Sequence, residues 1–179
     1  MMRGKRIGLR ARHETDVPIF QAELYNDVVT RSGADSRPWR PVTPKAAEAA
    51  EPPDADTATL FTVVELDDAQ TLLGEALLWG IDTHNRTAHL GISLLPTARG
   101  RGFGTDVVRL LCEYGFEVRG LHRLQVETLA DNASMIAAAM KAGFTVDGTL
   151  RKSAWVYGAF ADEVILGLLA EEWRPRPKA

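Results

Sequence analysis

At 179 residues the chain can bury one full core and is short for two, so a single domain over residues 1–173 with a polar, proline-containing tail at 174–179 is expected. Its 45% hydrophobic and 25% charged residues are ordinary for a globular protein, and a net charge of −3 gives no global reason to expect nucleic acid as a partner. The single Cys112 excludes an internal disulfide, no apolar run approaches the roughly 20 residues of a membrane helix, and the basic start (Arg3, Lys5, Arg6) lacks the apolar stretch of a signal peptide, so a cytoplasmic protein with no membrane partner is expected.

Ile7, Leu9 and Ala11 alternate with Arg6, Gly8, Arg10 and Arg12, which predicts an opening strand over 6–12 whose arginines form a solvated face. Thr15 or Asp16 then caps a helix with Pro18 in its first turn. Its buried face would be Val17, Phe20, Leu24, Val28 and Val29, and it fades near Ser32 and Gly33. Pro38, Pro41, Pro44, Pro52 and Pro53 break the next stretch around a short helix at Lys45–Glu51. A loop as long as 33–57 is a candidate lid, and Trp39, flanked by Arg37 and Arg40, either lines a pocket or pins the loop.

Three strands follow, over 58–66, 71–80 and 87–95, joined by connections too short for parallel crossovers. In the third, Ala88, Leu90, Ile92 and Leu94 share one face, and His89, Gly91 and Ser93 the other. Phe103, Val107, Leu110, Leu111, Tyr114 and Val118 then fall on one stripe of a helix that ends near Gly120. A strand over Leu124–Leu129, reached through that helix, is parallel to the third strand. Asp131-Asn132 caps a further helix with Met135, Ile136, Ala139 and Met140 inward, stopped by Gly143. Phe144–Ala154 and Val156–Leu169 read as two closing strands, with Gly158 a candidate turn and Gly148 a candidate bulge. The order β, α, short α, three antiparallel β, α, β, α, β, β describes a mixed-sheet α/β domain and not a doubly wound one.

Between the third strand and its helix lie Gly100, Gly102 and Gly104, interleaved with Arg99 and Arg101. A strand, a glycine turn and a helix N-terminus in that order make an anion site, because backbone N–H groups converge where the helix dipole is positive. Thr105-Asp106 after the last glycine does not match a mononucleotide P-loop, which needs Lys followed by Ser or Thr. A dinucleotide fingerprint spaces its glycines differently within a parallel βαβ unit.

Arg99-Gly100-Arg101-Gly102-Phe103-Gly104 resembles the Arg/Gln-x-x-Gly-x-Gly/Ala motif of the GNAT acetyltransferases, preceded by Leu94-Leu95-Pro96 as is common there. Asn132-Ala133-Ser134 followed by Lys141-Ala142-Gly143-Phe144 is similar to a second segment of that superfamily. The run from Tyr157-Gly158 through Asp162 to Glu171-Glu172-Trp173 looks like the RimJ/RimL branch and the spermidine acetyltransferases. The resemblance implies about seven mostly antiparallel strands with a splayed parallel pair, flanked by about four helices. It implies acetyl-CoA as co-substrate and no metal. The amides of Arg99, Gly100, Arg101, Gly102, Phe103, Gly104 and Thr105 would hold the pyrophosphate. Leu94 and Leu95 would pair with the pantetheine arm, and Asn132 would bond the same ligand or simply cap its helix.

Acetyl transfer needs a neutral amine, whose pKa is roughly 8 for an α-amino group and about 10 for an alkylamine. It needs a donor for the acetyl oxygen, for which the N–H of Leu94 or Leu95 is the candidate, and a proton for the leaving thiolate. Many family members supply that proton from a tyrosine at the position of Ala139, which leaves Ser134, Tyr157 or water here. Where related sequences often carry a glutamate, this chain has His89, a candidate base; Glu75 on the neighbouring strand is the other. For both, a hydrogen-bonded sheet residue is the competing role. Glu75, Asp82, Asp162 and Glu163 could attract a cation, with Asp162 more structural. The implied activity is N-acetylation of a primary amine, a protein N-terminal amine being favoured over a polyamine or an aminoglycoside. A homodimer is a candidate assembly. The missing tyrosine keeps a non-catalytic CoA-binding sensor as the rival.

Overall fold

The computed structural model describes residues 1–32, 38–41, 54 and 56–173, so the helix expected at Lys45–Glu51, most of the candidate lid and the tail at 174–179 lie outside the described residues. The chain opens with β1 (Met2–Arg3) and β2 (Ile7–Arg10), then a 3₁₀ turn, Glu14–Asp16, leads into α1 (Val17–Phe20) and a wider π turn at Gln21–Tyr25. After α2 (Val28–Ser32) come β3 (Ala58–Glu65), β4 (Leu72–Asp82) and β5 (Thr87–Leu94). A 3₁₀ turn at Pro96–Ala98 precedes α3 (Phe103–Glu113), which continues as a π turn over Tyr114–Val118. The remainder is β6 (Arg123–Leu129), α4 (Ala133–Ala142), β7 (Thr145–Val156) and β8 (Ala159–Leu169).

All eight strands form one sheet in the order β1-β2-β3-β4-β5-β6-β8-β7. Every neighbouring pair is antiparallel except β5 and β6. Thr62, Glu75, Ser93, His89 and Gln125 follow one another across one face by strand register. The α1 segment covers part of that face, since Asp16 bonds Thr62 and Tyr25 bonds Glu75. The opposite face is apolar. There α3 lies close enough for Gly115 to meet Leu124, and Gly104 lets α4 approach so that a Cβ there would sit 3.6 Å from Ala138. Val107, Val108, Leu110, Leu111 and Cys112 of α3 are fully buried, each apolar side chain contributing roughly 1.5–3 kcal/mol. Burial pushes the Cys112 thiol up from its ordinary value, so it is a core residue and not a nucleophile. Among the described residues no helix is long and apolar enough to cross a membrane.

The elements expected within the described residues are present, with four corrections. The opening strand is shorter than 6–12 and forms a hairpin with a two-residue strand before it, which raises the strand number to eight. The first helix breaks at Asn26, whose N–H closes the π turn on Gln21, and Asp27 then receives the Val29 N–H at 3.1 Å; Val29 is consequently exposed. The π turn at the end of α3 rotates Val118 off the apolar stripe and into solvent. In α4 the buried pair is Ala138 and Ala139, so Met140, one step of about 100° further round, is exposed. The closing hairpin turns at Tyr157-Gly158, and its register shifts at Gly148 as the sequence suggested.

Candidate active site

A cleft opens where two parallel strands stop pairing. β5 and β6 are in register only from Thr87–His89 to Arg123–Gln125. Both strands continue, and residues 90–94 with 126–129 line a cleft of about 810 Å³. Facing edges that have separated leave backbone donors and acceptors for an extended, amide-bearing ligand to add itself as a strand.

The cleft runs to the glycine loop. Gly100 and Gly102 hold φ of +71° and +78°, a left-handed conformation that carries the chain from the 3₁₀ turn into α3 and costs other residues free energy. No backbone carbonyl among the described residues accepts from the N–H groups of Gly100, Arg101 or Gly102. These donors sit at the positive end of α3, an arrangement that can receive an anion, and Gly100, Gly102, Phe103, Gly104 and Thr105 line the cleft there.

The two loop arginines diverge. Arg99 lines the cleft and donates from Nε to the Leu94 carbonyl at 3.0 Å. The Arg101 side chain leaves the cleft, placing Nη2 3.6 Å from Glu65 Oε1 and its guanidinium 4.8 Å above the Phe103 ring. Leu94 lines the cleft, whereas Leu95 is buried and its N–H donates to the Leu73 carbonyl at 2.9 Å. Asn132 also lines the cleft while capping α4: Oδ1 accepts from the Met135 N–H at 3.2 Å and from Ser134 Oγ at 3.0 Å, and Nδ2 donates to Thr128 Oγ1 at 2.9 Å.

The polar sheet face is built differently. Glu75, only 4% exposed, accepts hydrogen bonds at Oε2 from Arg12 and from the Tyr25 hydroxyl, and it does not line the cleft. Burial and the charge of Glu75 push the Tyr25 phenol up to about 12. Burial works against the Arg12 charge, but Tyr25 and Glu75 outweigh it and hold the guanidinium above its ordinary value. Trp39 donates from Nε1 to the Tyr25 carbonyl at 2.8 Å, so it pins its segment to the π turn after α1. The arginines expected on a solvated face are thus tied down: Arg12 to Glu75, Arg10 to Asp16 at 2.7 Å, and Arg6 to the Arg101 carbonyl at 3.0 Å.

His89 stands behind the cleft wall. Its ring stacks on Trp79 with centroids 4.3 Å apart, and Nδ1 lies 3.4 Å from Glu127 Oε1. Glu127 does line the cleft and is held by Gln125 Nε2 at 2.8 Å. Sequence reasoning passed over Glu127, Trp79, Arg12 and Tyr25. Glu127 had a signal, since it is two residues beyond the register partner of His89 on the same strand face. The Arg12–Glu75–Tyr25 cluster had none, because its members come from three distant segments. Asp82 bonds Asn85 in a turn, and Asp162 accepts the Lys152 N–H at 2.7 Å; neither reaches the cleft. Ser134 lines the cleft, Tyr157 is exposed at the hairpin turn, and Ala139 is buried in the core.

Residues 6–145 match the acetyltransferase (GNAT) domain family. The chain belongs to the GNAT family. Probable N-acetyltransferase YjcK of Bacillus subtilis is 32% identical over 84 residues, covering 47% of this chain and 46% of that protein. Spermidine N(1)-acetyltransferase of Vibrio cholerae is 25% identical over 121 residues, covering 68% and 69%. The match therefore spans about half the length of the first of these relatives and about two thirds of the second. The crystal structure of Vibrio cholerae spermidine N-acetyltransferase in complex with CoA and spermine superposes with a TM-score of 0.81 at 18% identity, covering 94% of this chain and 98% of that one. The mixed sheet with one splayed parallel pair is the GNAT fold.

Proposed function

We propose that the chain is an N-acetyltransferase that takes the acetyl group of acetyl-CoA and passes it to a primary amine. The observation that carries this reading is the continuity of the cleft, from the splayed edges of β5 and β6 to the glycine loop with its unbonded N–H groups. Acetyl-CoA, when bound, supplies an activated acyl thioester. The Arg99 N–H is engaged by the Pro96 carbonyl at 3.3 Å, so the loop amides that suit the pyrophosphate run from Gly100 to Thr105; the strand end at Leu94 suits the amide-bearing arm, and Asn132 and Ser134 border the same space. Because the Leu95 N–H is engaged by Leu73, the donor assigned to the acetyl oxygen is the N–H of Leu94.

Between the two candidate bases, His89 is preferred. Glu75 already accepts two hydrogen bonds and balances a part-buried guanidinium, whereas His89 keeps Nδ1 without a hydrogen bond, 3.4 Å from Glu127 of the cleft lining. An α-amine of pKa roughly 8 carries a larger neutral fraction near neutral pH than an alkylamine of about 10 and asks less of a base, which favours a peptide N-terminal amine as acceptor. A polyamine is the second reading, favoured by the spermidine acetyltransferase relatives and by the Glu127 and Asp131 carboxylates along the cleft. Ser134 or water returns a proton to the thiolate. The buried, solitary Cys112 supports a cytoplasmic setting.

Calorimetry with acetyl-CoA, followed by thiol release across peptide, polyamine and aminoglycoside amines, tests the reading. Binding with amine-dependent release is expected. Binding without release on any amine would leave a sensor module, and no binding at all would overturn the assignment.

A further inference from the structure

The glycine loop is held from outside by a residue of the N-terminal strand region. Arg6 Nη2 donates to the Arg101 carbonyl at 3.0 Å, across 95 positions of sequence. The Arg6 guanidinium lies 4.7 Å from the centre of the Phe103 ring, and that of Arg101 lies 4.8 Å from the same centre. Arg6 Nε is 3.8 Å from Asp106, a carboxylate in the first turn of α3, and a Cβ on Gly102 would come within 3.2 Å of Arg6 Nη2.

These contacts have a consequence for the anion site. In a planar trans peptide the carbonyl of one residue and the N–H of the next point in opposite directions. Fixing the Arg101 carbonyl outward on Arg6 aims the Gly102 N–H the other way, and Gly102 is a residue of the cleft lining. A cation on the carbonyl also polarises that peptide and makes its N–H a stronger donor. By facing Asp106, Arg6 further offsets a negative charge that would otherwise oppose an anion at the start of α3.

We propose that Arg6 is a positioning residue for acetyl-CoA, acting through the Arg101–Gly102 peptide on the pyrophosphate. The proposal rests on the reading of the cleft as an acetyl-CoA site. Arg6→Gln is expected to raise the KM for acetyl-CoA about tenfold, with kcat and the amine KM unchanged. The same loss should persist with 3′-dephospho-acetyl-CoA and vanish with S-acetylpantetheine, which has no pyrophosphate. Arg6→Lys, which keeps the charge and loses the planar fork, should shift the acetyl-CoA KM about threefold; if the Gln variant does not fold, it carries the same comparison. Disappearance of the loss with the 3′-dephospho compound would make Arg6 a reader of the 3′-phosphate, and an equal loss with S-acetylpantetheine would make it a fold residue. Either result overturns the proposal, as does unchanged acetyl-CoA KM in both variants. Wild-type protein that bound no acetyl-CoA would instead remove the functional reading beneath it.

Discussion

The loop from Arg99 to Thr105 is made of backbone, whereas the wall behind the cleft is made of side chains delivered by five segments. In the loop, positive φ at Gly100 and Gly102 and the start of α3 gather backbone donors locally, within a few consecutive residues. On the wall, two groups are assembled across the chain: Arg12, Tyr25 and Glu75 meet where the π turn after α1 packs on β4, and His89 meets Glu127 because β5 lies beside β6. A local device needs little from the rest of the chain beyond the Arg6 contact to the Arg101 carbonyl. An assembled one couples chemistry to stability, because Glu75 is buried against the part-buried Arg12 guanidinium.

That coupling gives the largest predicted effect. Glu75→Ala should leave the Arg12 guanidinium part-buried without its carboxylate and destabilise the fold by about 3 kcal/mol, read from denaturant midpoints. If Glu75 served only as a proton acceptor, the midpoint would stay put and kcat alone would fall.

Asp16 gives the next. It is 3% exposed and burial opposes its charge, but hydrogen bonds from Arg10, the His13 N–H and Thr62 outweigh this and hold the carboxyl at about 2. A folded-state pKa below the unfolded value of roughly 3.9 adds stability that is complete above that value and lost as pH falls toward 2. The expected size is about 2.5 kcal/mol, from about 1.4 kcal/mol per unit. Asp16→Asn should flatten the acid limb of stability against pH between about 4 and 2. An unchanged limb would separate the α1 anchor from the wall it supports.

Asn132→Ala gives the smallest. Loss of the α4 cap should cost about 1 kcal/mol in thermal unfolding. A several-fold rise in the acetyl-CoA KM besides would show that Asn132 serves both ends of the comparison.

The same division explains how far the sequence could be read. The meander of β3, β4 and β5, the glycine loop, the α4 cap at Asn132 and the parallel placement of β6 all follow from short spacings. The break at Asn26 and the outward rotation of Val118 do not, because each depends on a π turn that alternation and helical period do not encode. Among site residues, Arg99 and the glycines were legible as a motif. The fate of Arg101 was not, because its partner Glu65 sits on β3 and Phe103 offers its ring to two cations at once. Arg10 and Arg12 looked like a solvated face until α1 and β4 brought carboxylates to them.

Two-substrate steady-state kinetics on Gly102→Ala and His89→Gln test the central claim most directly. If the loop holds acetyl-CoA and the wall manages the amine, Gly102→Ala, whose left-handed strain and 3.2 Å approach to Arg6 Nη2 displace the loop amides, raises the acetyl-CoA KM about tenfold and leaves the amine KM alone. His89→Gln lowers kcat about 100-fold with the acetyl-CoA KM unchanged. Both variants shifting the same parameter, or a wild-type protein that releases no thiol from acetyl-CoA with any amine, would contradict the account.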